Sequence, residues 1–433
     1  MKSMTTETVR LTIHAMGGLG DGIASHEGQQ VFVPFACVGD EVRVALSASG
    51  KPGQPLRAEL LEVVKPSPKR QPAPCRHFGT CGGCALQHMK PDAYRQFKQQ
   101  FLRKLLDDMG VDPAIILPMV EVGAQSRRRA EFKISVRKGV VKMGFFASQS
   151  HRLVPLEECQ ICDPRLMALL PIFQACLAGL KKPGRILALH VTLLEAGVDA
   201  TLMVSKSLTE GDRQSIRQFA RSNPLVRVSE QHSGEGQELL SPRILHDTQQ
   251  AKISLGGVSV ALPVGAFLQA TEAGQEAITR QVLQHLQGCK AVLDLYAGCG
   301  TYSFPLAGQV ERVSAFEASV EMIAAMHNAL MGQGLEGRMQ ASARDLVQSP
   351  LAVQELQGFD GMVINPPRSG ALPQVKMIAR SQLPRLVMVS CNPLTFQRDA
   401  TILLNSGYRL TELLPIDQFY WSSHLELVAS FEK

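Results

Sequence analysis

The sequence holds no apolar run of the roughly 18 residues that a bilayer-spanning helix needs. Its opening residues, Met1-Lys-Ser-Met-Thr-Thr-Glu7, lack the apolar core of a secretory leader. A membrane-embedded or exported protein is therefore set aside, and a cytoplasmic location is expected. There is no internal repeat and no low-complexity tract, which excludes a repeat array. A large excess of either charge is also missing. The formal charge of +6 over 433 residues permits a nucleic-acid partner without establishing one, so the placement of the arginines carries more weight than their sum. Cysteine, by contrast, is present ten times. Without a leader, that number points to metal ligation or catalysis in a reducing compartment, not to disulfides. Nearly half of the residues are hydrophobic (45%), and the length predicts about two to three domains.

The first segment, residues 1–66, reads as a small β-barrel of the oligonucleotide-binding kind. Its short alternating runs are Val9–Ile13, Gln30–Pro34, Glu41–Ala45 and Arg57–Val63, with Gly17–Gly22 as a turn. A Pro/Lys/Arg linker from Pro66 to Pro74 closes it. Residues 67–256 read as a mixed α/β region with a cysteine cluster. This region includes an amphipathic helix over Pro91–Asp108, a hairpin pairing Arg185–Leu193 with Ala200–Val204, and a helix over Glu210–Arg221. The helix near residues 91–110 is expected to pack on the third segment, 257–433. There helix Glu272–Leu286 precedes strands at Ala291–Leu295, Arg312–Phe316, Gly361–Ile364, Arg385–Ser390 and Leu425–Phe431. That alternation predicts an α/β fold with a Rossmann-like, doubly wound parallel sheet.

Chemistry gathers at the predicted strand ends. Val387-Met-Val-Ser-Cys-Asn-Pro393 is an apolar strand that ends on a thiol, and Cys391 is thereby placed to attack a substrate lying across the sheet edge. In Asp294-Leu-Tyr-Ala-Gly-Cys-Gly-Thr301, Gly298 and Gly300 let the backbone approach a ligand between strand and helix. Glu317 closes the next strand, near the distance at which an acid meets ribose hydroxyls. The loop lacks the third glycine of the nicotinamide fingerprint and fits S-adenosylmethionine better. Asn365-Pro-Pro-Arg368 ends another strand; its amide can accept from a ring N–H and donate to a neighbouring carbonyl, the pattern of a uracil edge. His424-Leu-Glu426 adds a late carboxylate. Together these suggest a pyrimidine activated by a thiolate and then alkylated.

Cys75, Cys81 and Cys84, with Cys159 or Cys162 farther on, suit a four-cysteine site for zinc or an iron–sulfur cluster. The spacing from Cys75 to Cys81 is too wide for the tight loop of a radical enzyme. Arg127-Arg-Arg129 is the densest basic run and is expected to meet an RNA backbone.

Taken together, these segments resemble the uracil-C5 RNA methyltransferases, in particular the bacterial 23S ribosomal RNA 5-methyluridine enzymes. The resemblance spans nearly the whole chain: a barrel like the TRAM domain, the Cys75/Cys81/Cys84 cluster, Phe267-Leu-Gln269, the Asp294–Thr301 loop, the Asn365 turn, Ser390-Cys-Asn-Pro393 and His424-Leu-Glu426. It implies a 4Fe–4S cluster whose fourth ligand is Cys159, because Cys159-Gln-Ile-Cys-Asp-Pro164 aligns with a Cys-Pro-Val-Leu-x-Pro segment. It also implies S-adenosylmethionine held by Gln269, Tyr296, Thr301, Glu317, Asp345 and the Asn365 turn. Cys391 would be the nucleophile and Glu426 the general base. The expected partner is 23S ribosomal RNA and the expected state a monomer; the tRNA branch is expected to lack both barrel and cluster.

The sequence departs from the family pattern at Asn365, where Asp is usual, and at Ala297 and Cys299 in the loop. Asn retains an acceptor, so uracil recognition is expected to survive with an altered rate. Competing readings are a tRNA uracil-C5 enzyme, an RNA amino-methyltransferase, to whose motif Asn365-Pro-Pro is similar, and a non-catalytic RNA-binding or ribosome-assembly factor.

Overall fold

The computed structural model describes residues 7–46, 55–233 and 241–433. Residues 1–6 and 47–54 of the expected barrel segment therefore lie outside the described residues. Contacts divide the chain into two units. One comprises residues 1–113, 145–160 and 419–424, the other 114–144, 161–418 and 425–433, so the expected 67–256 segment is shared between them.

In the first unit, six strands pair in the order Thr8–Thr12, Glu41–Leu46, Leu56–Lys65, Gln29–Val33, Gly22–His26 and Ala15–Met16. Glu41–Leu46 alternates exposed and buried residues, as a strand with one face on a core must. Its Val42, Val44 and Leu46 pack with Leu11, Ile13, Val31 and Val33. Helix Pro91–Asp107 belongs to this unit, with Pro91 in its first turn, where the missing N–H costs nothing. Its Tyr94 and Phe97 share a small core with Leu86 and Met89, against which Trp421 packs.

Among the described residues, the second unit carries two large sheets and a two-stranded one, Lys252–Leu255 with Val258–Ala261. One large sheet runs Arg129–Arg137, Ile186–Leu194, Gly197–Val204, Leu225–His232 and Arg243–Asp247 in order. The expected hairpin is present, with Leu194 opposite Gly197. The buried Arg227–Asp199 pair sits in this sheet, Arg227 also donating to the Leu262 carbonyl at 2.6 Å.

The other large sheet positions the site. Its strand order is Met339–Ala343, Arg312–Glu317, Ala291–Leu295, Gly361–Ile364, Arg385–Ser390, Glu426–Glu432, Arg409–Asp417 and Val120–Glu121. The order reverses beside Ala291–Leu295, which creates a crevice at the carboxyl ends of the neighbouring strands. The expected all-parallel sheet needs correction in one place: Glu426–Glu432 runs antiparallel to both of its neighbours. That inversion brings its first residue, Glu426, to the same edge at which Arg385–Ser390 ends. Ser390 pairs with Leu427, so the next position out sets Cys391 against Glu426.

Candidate active site

Cys391 follows strand Arg385–Ser390 and directly precedes helix Pro393–Asn405. The Asn392 side chain caps that helix, accepting from the Leu394 N–H at 3.2 Å. It also donates to the Arg368 carbonyl at 2.9 Å, which ties the thiol's turn to the Asn365 turn. Burial first, and the facing Glu426 carboxylate second, push the half-buried Cys391 thiol above its ordinary range, while the Arg368 guanidinium pulls it back. Glu426 is only 3% exposed. Burial raises its proton affinity to about 7, and the hydrogen bond from Gln418 (2.7 Å) opposes that rise. A carboxyl so placed can take a proton near neutral pH.

Asn365 leaves strand Gly361–Ile364, and its backbone N–H reaches the Leu295 carbonyl at 3.2 Å, linking the two strand ends. Its side-chain amide donates to the Tyr302 hydroxyl at 3.1 Å. Tyr302 also faces the Gln269 amide at 3.5 Å, and Gln269 in turn accepts from Gln418 at 2.9 Å. Asn365, Tyr302, Gln269, Gln418 and Glu426 therefore form one polar string. Gln269 and Asn365 were legible in the sequence; Tyr302 and Gln418 were not. No spacing rule marks a Tyr beside a glycine loop, or a Gln eight residues before an acid, as partners.

The loop after Ala291–Leu295 has the shape a nucleotide-like ligand needs. Gly298 and Gly300 both take positive φ, 58° and 87°, and Tyr296 does so too at 61°. A side-chain carbon at Gly300 would stand 2.7 Å from the Phe304 ring. Glu317 ends the next strand and accepts from the Gly298 N–H at 3.0 Å and from the Ser319 N–H at 3.0 Å, which holds its carboxylate at the rim of the loop. Asp345 follows Met339–Ala343 and accepts from Val347 N–H at 2.9 Å. The buried Tyr296 hydroxyl finds no hydrogen-bond partner, and burial with nearby Asp345 pushes it to about 12. An orphaned hydroxyl between acids is what a polar ligand would satisfy, so these residues fit S-adenosylmethionine. Thr301 lies half-buried at the loop's end. Cys299, one of the two loop departures, is fully buried and its thiol is pushed to about 12, so it serves packing; Ala297 is buried beside it.

The arginine run faces inward more than its charge suggests. Arg128 is 8% exposed and gives its guanidinium to the Gln269 carbonyl (3.1 Å) and to the Gln275 side chain (2.7 Å). Arg129 donates to the Leu268 carbonyl at 2.6 Å and stacks on Phe267 at 4.8 Å, while Arg127 is half-buried and bonds the Arg129 carbonyl. Together Arg128 and Arg129 brace the segment that presents Gln269.

In the first unit, Cys75, Cys81, Cys84 and Cys159 lie within electrostatic reach of one another: Cys159 raises the proton affinity of the other three, after burial. The Gly82 N–H to the Phe146 carbonyl (2.9 Å) and the Arg76 N–H to Glu158 (3.0 Å) stitch their two segments together. Cys162 is instead buried, bridged to Arg127 in the other unit. Among the described residues, no three His, Cys, Asp or Glu side chains converge closely enough to hold one metal ion. A single zinc ion, which needs thiolates about 2.3 Å away on every side, is not supported by this arrangement.

The strand order and the glycine loop with its acid define the class: an α/β methyltransferase fold. Residues 93–433 match the family described as tRNA (uracil-5-)-methyltransferase. An RNA methyltransferase of Caulobacter vibrioides is 38% identical over 98% of this chain and 99% of its own length. The 23S rRNA (uracil(1939)-C(5))-methyltransferase RlmD of Shewanella denitrificans is 30% identical over 98% of this chain and 95% of its own length. The chain belongs to this family of RNA (uracil-C5)-methyltransferases, enzymes that take their methyl group from S-adenosylmethionine. The solved tRNA (uracil-54, C5)-methyltransferase of Pyrococcus abyssi, in complex with S-adenosyl-L-homocysteine, shares the fold with a TM-score of 0.71 and 21% identity. That likeness covers 98% of this chain and 99% of the other. It corrects one expectation: a tRNA enzyme can share the fold over nearly the full length, so the fold does not choose between tRNA and ribosomal RNA.

Proposed function

We propose that this protein methylates uracil C5 in 23S ribosomal RNA through a transient bond between Cys391 and ring carbon C6. The observation that carries the reading is the placement of Cys391 and the buried Glu426 one position beyond the Ser390–Leu427 pair, close enough for the carboxylate to raise the thiol's proton affinity. The RlmD relatives favour ribosomal RNA over tRNA. A modifying enzyme of RNA works where RNA is, which keeps the cytoplasm as its place; no described helix is long and apolar enough to cross a membrane.

Uracil C5 is a weak nucleophile. The Cys391 thiolate, favoured by Arg368, adds to C6, and the ring's π pair moves toward C5 and the C4 oxygen. S-adenosylmethionine, when bound by Gln269, Tyr296, Thr301, Glu317 and Asp345, supplies the methyl group that C5 takes. Asn365 receives the ring N–H and holds the base in register. Glu426 then removes the C5 proton, the C5=C6 bond re-forms, and the thiolate leaves. The target base must stand out of its stack to reach the sulfur. Arg127, Arg128, Arg129 and the small β-sheet domain, which we read as TRAM-like, are assigned to the surrounding RNA, with Arg127 the most available of the three arginines.

Two variants test the route. Cys391→Ser is expected to abolish C5 methylation of unmodified ribosomal RNA, and full activity in that variant would overturn the mechanism. Glu426→Gln is expected to trap an RNA–protein adduct that survives a denaturing gel; prompt release of methylated product would remove Glu426 as the base.

We further propose that Cys75, Cys81, Cys84 and Cys159 hold a 4Fe–4S cluster. A cluster spreads four thiolates over four irons and does not require them to converge on one centre. It would staple the segment around residues 75–84 to that around 145–160 and take no part in the methyl transfer. Protein purified without oxygen is expected to carry about four irons per chain. Cys159→Ser is expected to lose iron while Cys162→Ser keeps it; the opposite result would reassign the ligand.

A further inference from the structure

The string from Glu426 to Asn365 has a direction. An ionised carboxylate only accepts, so Gln418 must present its amide nitrogen to Glu426 (2.7 Å). The second N–H of that nitrogen goes to the Gln269 carbonyl oxygen at 2.9 Å, which turns the Gln269 nitrogen toward Tyr302. Reversing either glutamine would set oxygen against oxygen or donor against donor. At the far end the Tyr302 hydroxyl takes the Asn365 amide nitrogen at 3.1 Å, which leaves the Asn365 oxygen as the group free to accept. Water does not compete along the run: Gln418 is 2% exposed, Gln269 4%, Tyr302 1% and Glu426 3%.

The arrangement is kept at a cost. The Gln418 oxygen is buried and finds no hydrogen-bond partner. It occupies space that exists because residue 274 is glycine: a side-chain carbon there would stand 2.7 Å from that oxygen. Leaving a buried carbonyl unpaired is unfavourable, so something else fixes the amide's direction, and the bond to Glu426 does so.

We propose that Gln418, Gln269 and Tyr302 act as positioning residues that aim Glu426 and Asn365 as one unit. The group that removes the ring proton and the amide that reads the ring edge are then set by a single chain of bonds. This rests on the uracil-C5 reading above and assigns it two residues, Gln418 and Tyr302, that the sequence motifs do not contain. The charged or titratable groups that face Glu426 in this setting are Cys391 and Tyr302, with Arg368 acting on Cys391.

The test is a pH profile of single-turnover product release, with unmodified ribosomal RNA and labelled methyl donor. Gln418→Leu removes the donor that keeps Glu426 ionised. Its acid limb is expected to move up by about one pH unit, a roughly fivefold loss near pH 7 that approaches tenfold in more acid buffer and recovers in more alkaline buffer. Gly274→Ala, which removes no polar atom of the string, is expected to reproduce that shift by displacing the Gln418 amide. Tyr302→Phe is expected to weaken RNA binding, and its combination with Gln418→Leu is expected to lose less than the product of the two single losses. Retained S-adenosylmethionine binding by calorimetry shows that each variant is folded; if Gln418→Leu fails that control, Gly274→Ala decides. An unmoved acid limb, or strictly multiplicative losses, would overturn the string while Glu426→Gln still trapped its adduct. Failure of the underlying reading looks different: no adduct forms at all, or Cys391→Ser stays active.

Discussion

A carboxyl held near 7 by its surroundings can act as a base only in solutions above that value. On the proposed route the rate of methylation is accordingly expected to fall as pH drops through about 7, because a protonated Glu426 could not take the C5 proton. A pH profile of product release that stayed flat down to about pH 5, near the ordinary range of an exposed glutamate, would show that another group does this work. At this scale the sequence was informative where a residue announces its own chemistry. Cys391, Glu426, Glu317 and the paired glycines each stand at the end of a readable apolar run, and the structure sets them along one crevice. It was uninformative where the role depends on a partner. Gln418 looks like any polar residue after a strand, and Tyr302 like a core aromatic; only the register that brings residues 269, 302, 365 and 418 together gives them meaning. In the arginine run, too, the partner is what the sequence does not give: Arg128 donates its guanidinium to a backbone carbonyl.

Among the elements, the loop after Ala291–Leu295 is the least tolerant. Gly300 combines a φ of 87° with a neighbour at 2.7 Å, so Gly300→Ala is both strained and crowded. A loss of roughly 1–3 kcal/mol is expected, visible as weaker S-adenosylmethionine binding by calorimetry. Helix Glu272–His285 and strands Ala291–Leu295, Gly361–Ile364 and Arg385–Ser390 emerge at or within a residue of their expected bounds, since long apolar periodicity overrides local detail. Three strands of the same sheet were not foreseen, the two-residue Val120–Glu121 among them. Met339–Ala343 is a short edge strand that reads Met-Gln-Ala-Ser-Ala, too polar to announce itself. Arg409–Asp417 contains Pro415, which normally argues against an inner strand. It is tolerated because the outer neighbour, Val120–Glu121, pairs only with Ile416 and Asp417, leaving no bond for the missing N–H to make on that side.

For the whole molecule, two buried acids make stability depend on pH in an unusual sense. Asp294 and Glu426 are both raised to about 7 in the folded chain, from ordinary values of 3.8 and 4.5. Between about pH 4 and 7 the folded form therefore holds protons that the unfolded form has released, and stability falls as pH rises through that window. Replacing Glu426 by Gln removes its share. The urea midpoint of the variant, relative to wild type, is expected to be higher at about pH 8 than at about pH 5. An equal difference at both values would show that Glu426 titrates as if exposed. The inverted strand Glu426–Glu432 has a last consequence. It slots between Arg385–Ser390 and Arg409–Asp417, so a chain cut short before it loses a middle stave of the sheet and the proposed proton acceptor in the same stroke. On the proposed route, completeness of folding and competence to finish the reaction would therefore arrive with one strand.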